Sequence, residues 1–386
     1  MWRAIWISVP SMHSSPAEAI APSKTLARDA MVRELMRPLR DYLAEDGVTE
    51  VVINRPGEVF LENGPEWRRI AAPHLTLARC LSLANAIATY TEQSIDAQKP
   101  ILSAMLPDGE RVQIVVPPAC EHDTVSMSIR RPSSSIRTLR EYEDSGAFDR
   151  YVWARSPEFA QRQADLDSVD RRLAQHLDRN ELAKFLTLAV IEKKNIAFVG
   201  NTGCGKTTLM KTVCQDIPPH ERLITIEDVR ELFLPKHPNR VHLLYSKGGQ
   251  GVAKVTPSDL IASNMRMKPD RVLLAELRGG EAFDFLKLLT TGHSGSITSY
   301  HAESCALAME RYVFMAKEHD QAAIYDAEAL KRLVALTIDV IVHVVAPTVF
   351  DADGNPAKKE RFVAEVHFDP IAKLHARFGN ATVHRA

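Results

Sequence analysis

No apolar run in this chain approaches the roughly 18 residues that a membrane-spanning helix requires, and Ile5 to Val9 is too short for a signal-peptide core. Any membrane contact is therefore peripheral or made through partners. Charge of one sign is missing as well: 48 Lys and Arg stand against 49 Asp and Glu, a formal net charge of −1, so no global field holds a polyanion or an anionic surface. Cysteine is scarce and scattered. Cys80, Cys120, Cys204, Cys214 and Cys305 are odd in number and contain no C-x-x-C, which argues against a disulfide framework or a zinc ribbon and for a reducing compartment such as the cytoplasm. Aromatic residues make up 6% and form no stripe interleaved with basic ones, so strong direct nucleic-acid binding is not expected and a nucleic-acid translocase is a weak reading.

What the chain does have is length and one dense motif. At 386 residues and 45% hydrophobic it can bury two ordinary cores. Asn195-Ile196-Ala197-Phe198-Val199 reads as a short buried strand that empties into Gly200-Asn201-Thr202-Gly203-Cys204-Gly205-Lys206-Thr207-Thr208 and then a helix. The three glycines let backbone N–H groups turn inward around phosphate oxygens, Lys206 reaches the β/γ-phosphates, and the Thr207 hydroxyl completes the shell of a Mg²⁺ ion. The helix presents its positive end to the anion. ATP or GTP is the expected ligand.

Taken in order, residues 1–30 read as a loose tail, rich in Ser, Pro and Ala. Residues 31–131 read as a smaller α+β domain. A helix from Leu35 to Leu43 is followed by strands at Val48 to Ile53, Glu58 to Glu62 and Trp67 to Ile70, a helix carrying Leu77, Cys80, Leu81, Ala84, Ile87 and Ala88, a hairpin from Ile101 to Val116, and a strand ending at Arg130. Arg111 shares a strand face with Gln113, and Arg130 with Ser126 and Ser128, so both cations project from a polar sheet surface toward the second domain. Residues 132–180 read as a polar linker and a connecting helix bearing Leu166, Val169, Leu173 and Leu177. From 181 to 386 short apolar strands (Leu223 to Ile226, Val272 to Ala275, Ser296 to Tyr300, Val340 to Val345, Phe362 to Phe368) alternate with helical patterns, which predicts an α/β domain with a largely parallel sheet.

Ligands of such sheets bind at the carboxyl ends of the strands. Three polar clusters fall there. Ile224-Thr225-Ile226-Glu227-Asp228-Val229-Arg230-Glu231 offers several carboxylates, one of which would orient and deprotonate an attacking water. Arg271 to Glu276 is an apolar strand ending in an acid, suited to a Mg²⁺-bound water near the γ-phosphate although the usual aspartate is absent. Thr291 to Ala302 carries His293 and His301, which lack the matching carboxylate or Cys set of a metal site and suit phosphate sensing better.

With these stretches quoted, the sequence resembles the type II/type IV secretion traffic ATPases, and within them the hexameric cytoplasmic ATPases of type IV secretion and conjugation systems, from about residue 30 to the end. Gly200 to Thr208 matches the phosphate loop, Ile224 to Glu231 the acidic box, Pro269 to Glu281 the atypical second nucleotide motif and Thr291 to Ala302 the histidine box. Gly-His-Ser-Gly-Ser-Ile-Thr-Ser-Tyr-His-Ala and the N-terminal Val48 to Gly57 look like the secretion branch rather than the pilus-motor branch. The resemblance implies a RecA-like P-loop ATPase domain preceded by a smaller α+β domain, a PAS-like antiparallel sheet plus helices. It implies Lys206 and Thr207 on phosphate and Mg²⁺, Glu231 as the water-activating base, Glu276 on the Mg²⁺ side through water, His301 as γ-phosphate sensor, and Arg111 and Arg130 as charge-neutralising fingers. It further implies Mg²⁺-dependent ATP hydrolysis by a homohexamer at the cytoplasmic face of the inner membrane, with inner-membrane components of a secretion apparatus as partners. A type IV pilus or type II secretion motor is the neighbouring reading, and a nucleotide-gated assembly module with negligible turnover is the reading of another class. An isolated fragment 181–386 is expected to bind ATP and hydrolyse it poorly.

Overall fold

A computed structural model describes residues 27–131, 136–245 and 255–378. Most of the expected N-terminal tail, and residues 132–135 of the expected linker, lie outside the described residues.

The first unit opens with α1 (Ala30–Ala44), whose Val32, Met36, Leu39 and Leu43 form one buried stripe at helical spacing. Strands β1 (Val48–Ile53), β2 (Gly57–Asn63) and β3 (Glu66–Ala72) form a meander, followed by α2 (Leu77–Tyr90) and by β4 (Ile101–Met105), β5 (Arg111–Val115) and β6 (Ser126–Arg130). The six strands make one antiparallel sheet in the order β3-β2-β1-β6-β5-β4. Alternation sends Val112, Ile114, Met127 and Ile129 into the core with α1 and α2, and leaves Arg111, Gln113, Ser128 and Arg130 on the other face. Arg111 and Arg130 sit directly opposite each other across β5 and β6. Like charges in that position repel, so the pair makes sense only where anions lie nearby.

The second unit begins earlier in the chain than the sequence suggests. After α3 (Leu139–Asp144) comes β7 (Val152–Ala154), two short 3-10 turns, α4 (Ser168–Asp178) and α5 (Leu182–Ile191). Then follow β8 (Ile196–Val199), α6 (Lys206–Cys214), β9 (Leu223–Glu227), β10 (Arg240–Leu244), α7 (Pro257–Asn264), β11 (Arg271–Leu274), α8 (Glu281–Thr290), β12 (Ile297–Tyr300), α9 (Cys305–Lys317), α10 (Ala327–Thr337) and β13 (Val340–Val345). A small hairpin of β14 (Thr348–Phe350) and β15 (Pro356–Lys359) leads to β16 (Phe362–His367) and α11 (Pro370–Phe378). The main sheet runs β10-β9-β11-β12-β8-β13-β16-β7. Its strands are parallel from β10 to β13, β16 turns antiparallel against β13, and β7 closes the edge parallel to β16. Helices on both faces bury β8 completely, which places the loop after Val199 at the middle of the sheet's carboxyl edge.

The connecting helix expected in residues 132–180 is present as α4, but the stretch around it is not a spacer. Leu139, Tyr142, Ala147, Phe148, Leu173 and Leu177 are buried with Leu182, Phe185 and Leu186 in the core of the main sheet, and β7 hydrogen-bonds to β16. A fragment cut at 181 would expose that apolar surface. The testable fragment is therefore 136–386, which should melt cooperatively in circular dichroism, whereas 181–386 should lack a cooperative transition. A cooperative melt of 181–386 at an unchanged temperature would show that the earlier segment adds nothing to the core.

Arg271, at the start of β11, is wholly buried. It grips Glu221 through Nε (2.6 Å) and Nη2 (3.1 Å) and donates from Nη1 to the Val190 carbonyl (2.6 Å), so this cation is structural.

Candidate active site

The phosphate loop has the predicted form. Gly200 stands where β8 ends against β13, and a Cβ there would lie 2.1 Å from the Val344 carbonyl oxygen. Gly205 caps α6 at φ 102°, in the left-handed region. Lys206 is only 7% exposed. Its Nζ donates to the carbonyls of Gly200 (2.8 Å) and Asn201 (3.0 Å) and lies 3.3 Å from His301 Nδ1. Burial pushes its pKa down, outweighing nearby negative groups. The ammonium thus turns back on its own loop, held by neutral carbonyls that phosphate oxygens would replace with charge.

The acidic box separates into two jobs. Glu227, at the end of β9, is fully buried. One carboxylate oxygen accepts from the backbone N–H groups of Glu231 (2.7 Å) and Leu232 (2.8 Å), and the other accepts from the Thr225 hydroxyl (2.6 Å) and contacts His242 Nδ1 (3.2 Å). It fixes the turn. Asp228 and Glu231 are left facing the cleft, and Arg111 of the first unit bridges them, at 2.5 Å and 2.8 Å.

Glu276 follows β11, past Ala275, and meets one cation and one imidazole. Arg278 donates to it through Nε (2.7 Å) and Nη2, and His301 Nε2 lies 3.0 Å from its other oxygen. Because Lys206 can only donate and an ionised Glu276 can only accept, His301 carries its proton on Nε2 and accepts at Nδ1. Burial would raise the Glu276 carboxyl, but the His301 hydrogen bond and the Arg278 charge hold it at about 2, so it is ionised at neutral pH. Arg278 also reaches Asp228 (3.1 Å). Polar contacts therefore run unbroken from Arg111 through Asp228, Arg278, Glu276 and His301 to Lys206. His293 is not part of this set; its ring contacts Thr291 (3.2 Å).

These groups line one cleft of about 700 Å³ between the two units, with Arg130 on the same wall as Arg111. Sequence reasoning missed several of its cations, among them Arg278, Arg361 and Arg137. Arg278 sits within a quoted motif but was given no role. Arg361, whose Nε donates to the Gly203 carbonyl (3.3 Å), and Arg137 come from segments without any phosphate motif. A second cavity of about 320 Å³ beneath α1 contains none of the phosphate-loop residues, and two of its arginines, Arg33 and Arg40, pair with its own Asp108.

A glycine loop at the central strand of a parallel sheet, a buried lysine at its end and acids on neighbouring strand ends define a P-loop nucleoside triphosphatase. The chain belongs to the type II/IV secretion system protein family, whose model matches residues 158–362. It is 44% identical over 365 residues to the type IV secretion system protein VirB11 of Brucella suis, covering 94% of this chain and 97% of the relative. It is 41% identical over 316 residues to the type IV secretion system protein PtlH of Bordetella pertussis, covering 82% and 90%. The Legionella pneumophila ATPase DotB shares the fold at a TM-score of 0.52 and 15% identity, over 89% of this chain and 81% of that one. The expected fold class, a RecA-like ATPase domain preceded by a smaller antiparallel α+β domain, holds.

Proposed function

We propose that this chain is the ATPase of a type IV secretion system, hydrolysing ATP in a homohexamer at the cytoplasmic face of the inner membrane and passing the resulting domain motion to inner-membrane components of the apparatus. The observation that carries this reading is the shared cleft: the first unit puts Arg111 and Arg130 opposite the phosphate loop of the second. Nucleotide phosphates would draw Lys206 from its carbonyls. They would also compete with Asp228 and Glu231 for Arg111, so binding pulls the units together and leaves Glu231 free to take a proton from water. The donor set suits Mg²⁺ held mainly by phosphate oxygens and the Thr207 hydroxyl, with Glu276 acting through water. Among the described residues no group of three or more His, Cys, Asp or Glu forms a cage for a metal, and Mg²⁺ in nucleotide sites rests largely on phosphate and water. The ion would neutralise charge developing on the phosphates. No described helix is long and apolar enough to cross a membrane.

Phosphate release tests the reading. The full chain should turn over ATP in Mg²⁺ and stop in EDTA, and Arg130→Ala should lower turnover by about 10²-fold, the scale of removing one oriented donor to a transition state, without changing the melting temperature. Tight nucleotide binding with negligible release would favour a nucleotide-gated assembly module instead.

A further inference from the structure

Beside the phosphate loop the cleft wall contains a stack of planar groups that neither the loop nor the acids account for. Phe148 is buried and lies parallel to Tyr142, with ring centroids 5.4 Å apart and an interplanar angle of 8°. The Arg137 guanidinium lies over the Tyr142 ring, its carbon 4.5 Å from the ring centroid, and its Nη2 donates to the Glu141 carbonyl at 3.0 Å. The Tyr142 hydroxyl reaches the Thr212 side chain on α6, and Thr212 in turn donates to the Thr208 carbonyl at 3.2 Å. Thr208, Tyr142 and Arg137 all line the cleft. The stack is therefore fastened to the helix that receives the phosphates, and it ends at the cleft in a guanidinium backed by an aromatic ring.

We propose that Arg137 is the nucleobase-binding residue, its guanidinium stacking on the base of a nucleotide whose phosphates sit at Lys206 to Thr208; the inference rests on the nucleotide reading above. A guanidinium already held over Tyr142 and tied to the Glu141 carbonyl loses little freedom on binding, and it offers a cationic plane to a π-system. Stacking reads the face of a base and not its edge, so Arg137 sets how tightly a nucleotide is held rather than which base it carries. A phosphate contact from the same side chain would act by charge alone, and lysine would replace it.

Calorimetric titration of the full chain with ATP and, separately, with inorganic tripolyphosphate separates these roles. Arg137→Ala should weaken ATP about tenfold and leave tripolyphosphate unchanged, and Arg137→Lys should behave as the alanine variant does. Unchanged tripolyphosphate binding also reports that the variant's site is folded. The proposal is overturned if ATP affinity does not move, or if both ligands weaken together and lysine restores both. Failure of the unsubstituted chain to bind either ligand would defeat the phosphate-loop reading first.

Discussion

Lys206→Ala should abolish ATP turnover, by about 10²-fold or more, and weaken nucleotide binding. The ammonium is the fixed cation at the start of α6, in a cradle otherwise built of backbone dipoles, and its partners are two carbonyls and His301. Truncation removes charge without leaving a charged hydrogen-bond partner behind, because the groups that held the ammonium are two neutral carbonyls and a ring nitrogen. The variant should therefore melt near the parent temperature while losing activity. Phosphate release at near-parental rates would remove the assignment of the loop.

Glu231→Gln should keep nucleotide affinity and lose about 10²-fold in turnover, the scale of a lost general base. The informative partner is Glu227→Gln. Glu227 accepts from two backbone N–H groups through one oxygen and from Thr225 through the other, so a glutamine must keep its oxygen on the backbone side, reverse the Thr225 hydrogen bond and give up the charge that strengthens all three. That change should lower the melting temperature as well as the activity, whereas Glu231→Gln should spare the melt. If thermal denaturation shifts for Glu231→Gln and not for Glu227→Gln, the division of labour in the acidic box is reversed.

The phosphate loop was legible because its chemistry is local: glycines, a lysine and a threonine at fixed spacing after an apolar run. The polar face of β5 and β6 was legible for the same reason, since alternation alone separates Arg111 from Val112. Local pattern could not rank the acids after β9, because burial at Glu227 depends on β10, an edge strand too polar at Arg240 and His242 to stand out. Nor could it place Arg361 over the loop. That contact exists because β16 pairs antiparallel beside β13, a fact of strand order rather than of spacing. Residues 136–180 misled by being polar, and a strand of three residues such as β7 is too short for alternation to register.

Gly200 and Gly205 are written with the same letter in the loop, yet they answer different questions. At Gly200 an atom stands in the way, the Val344 oxygen 2.1 Å from where a methyl would go, in addition to a backbone angle of 148°, whereas at Gly205 the nearest non-local atom is 3.5 Å away and the backbone angle of 102° is the whole obstacle. A side chain at Gly205 would meet backbone strain alone, and one at Gly200 a collision as well. A sequence search that weights the two glycines equally discards information that the neighbouring strand supplies: both encode the bend, and only the first also encodes how closely β8 and β13 approach.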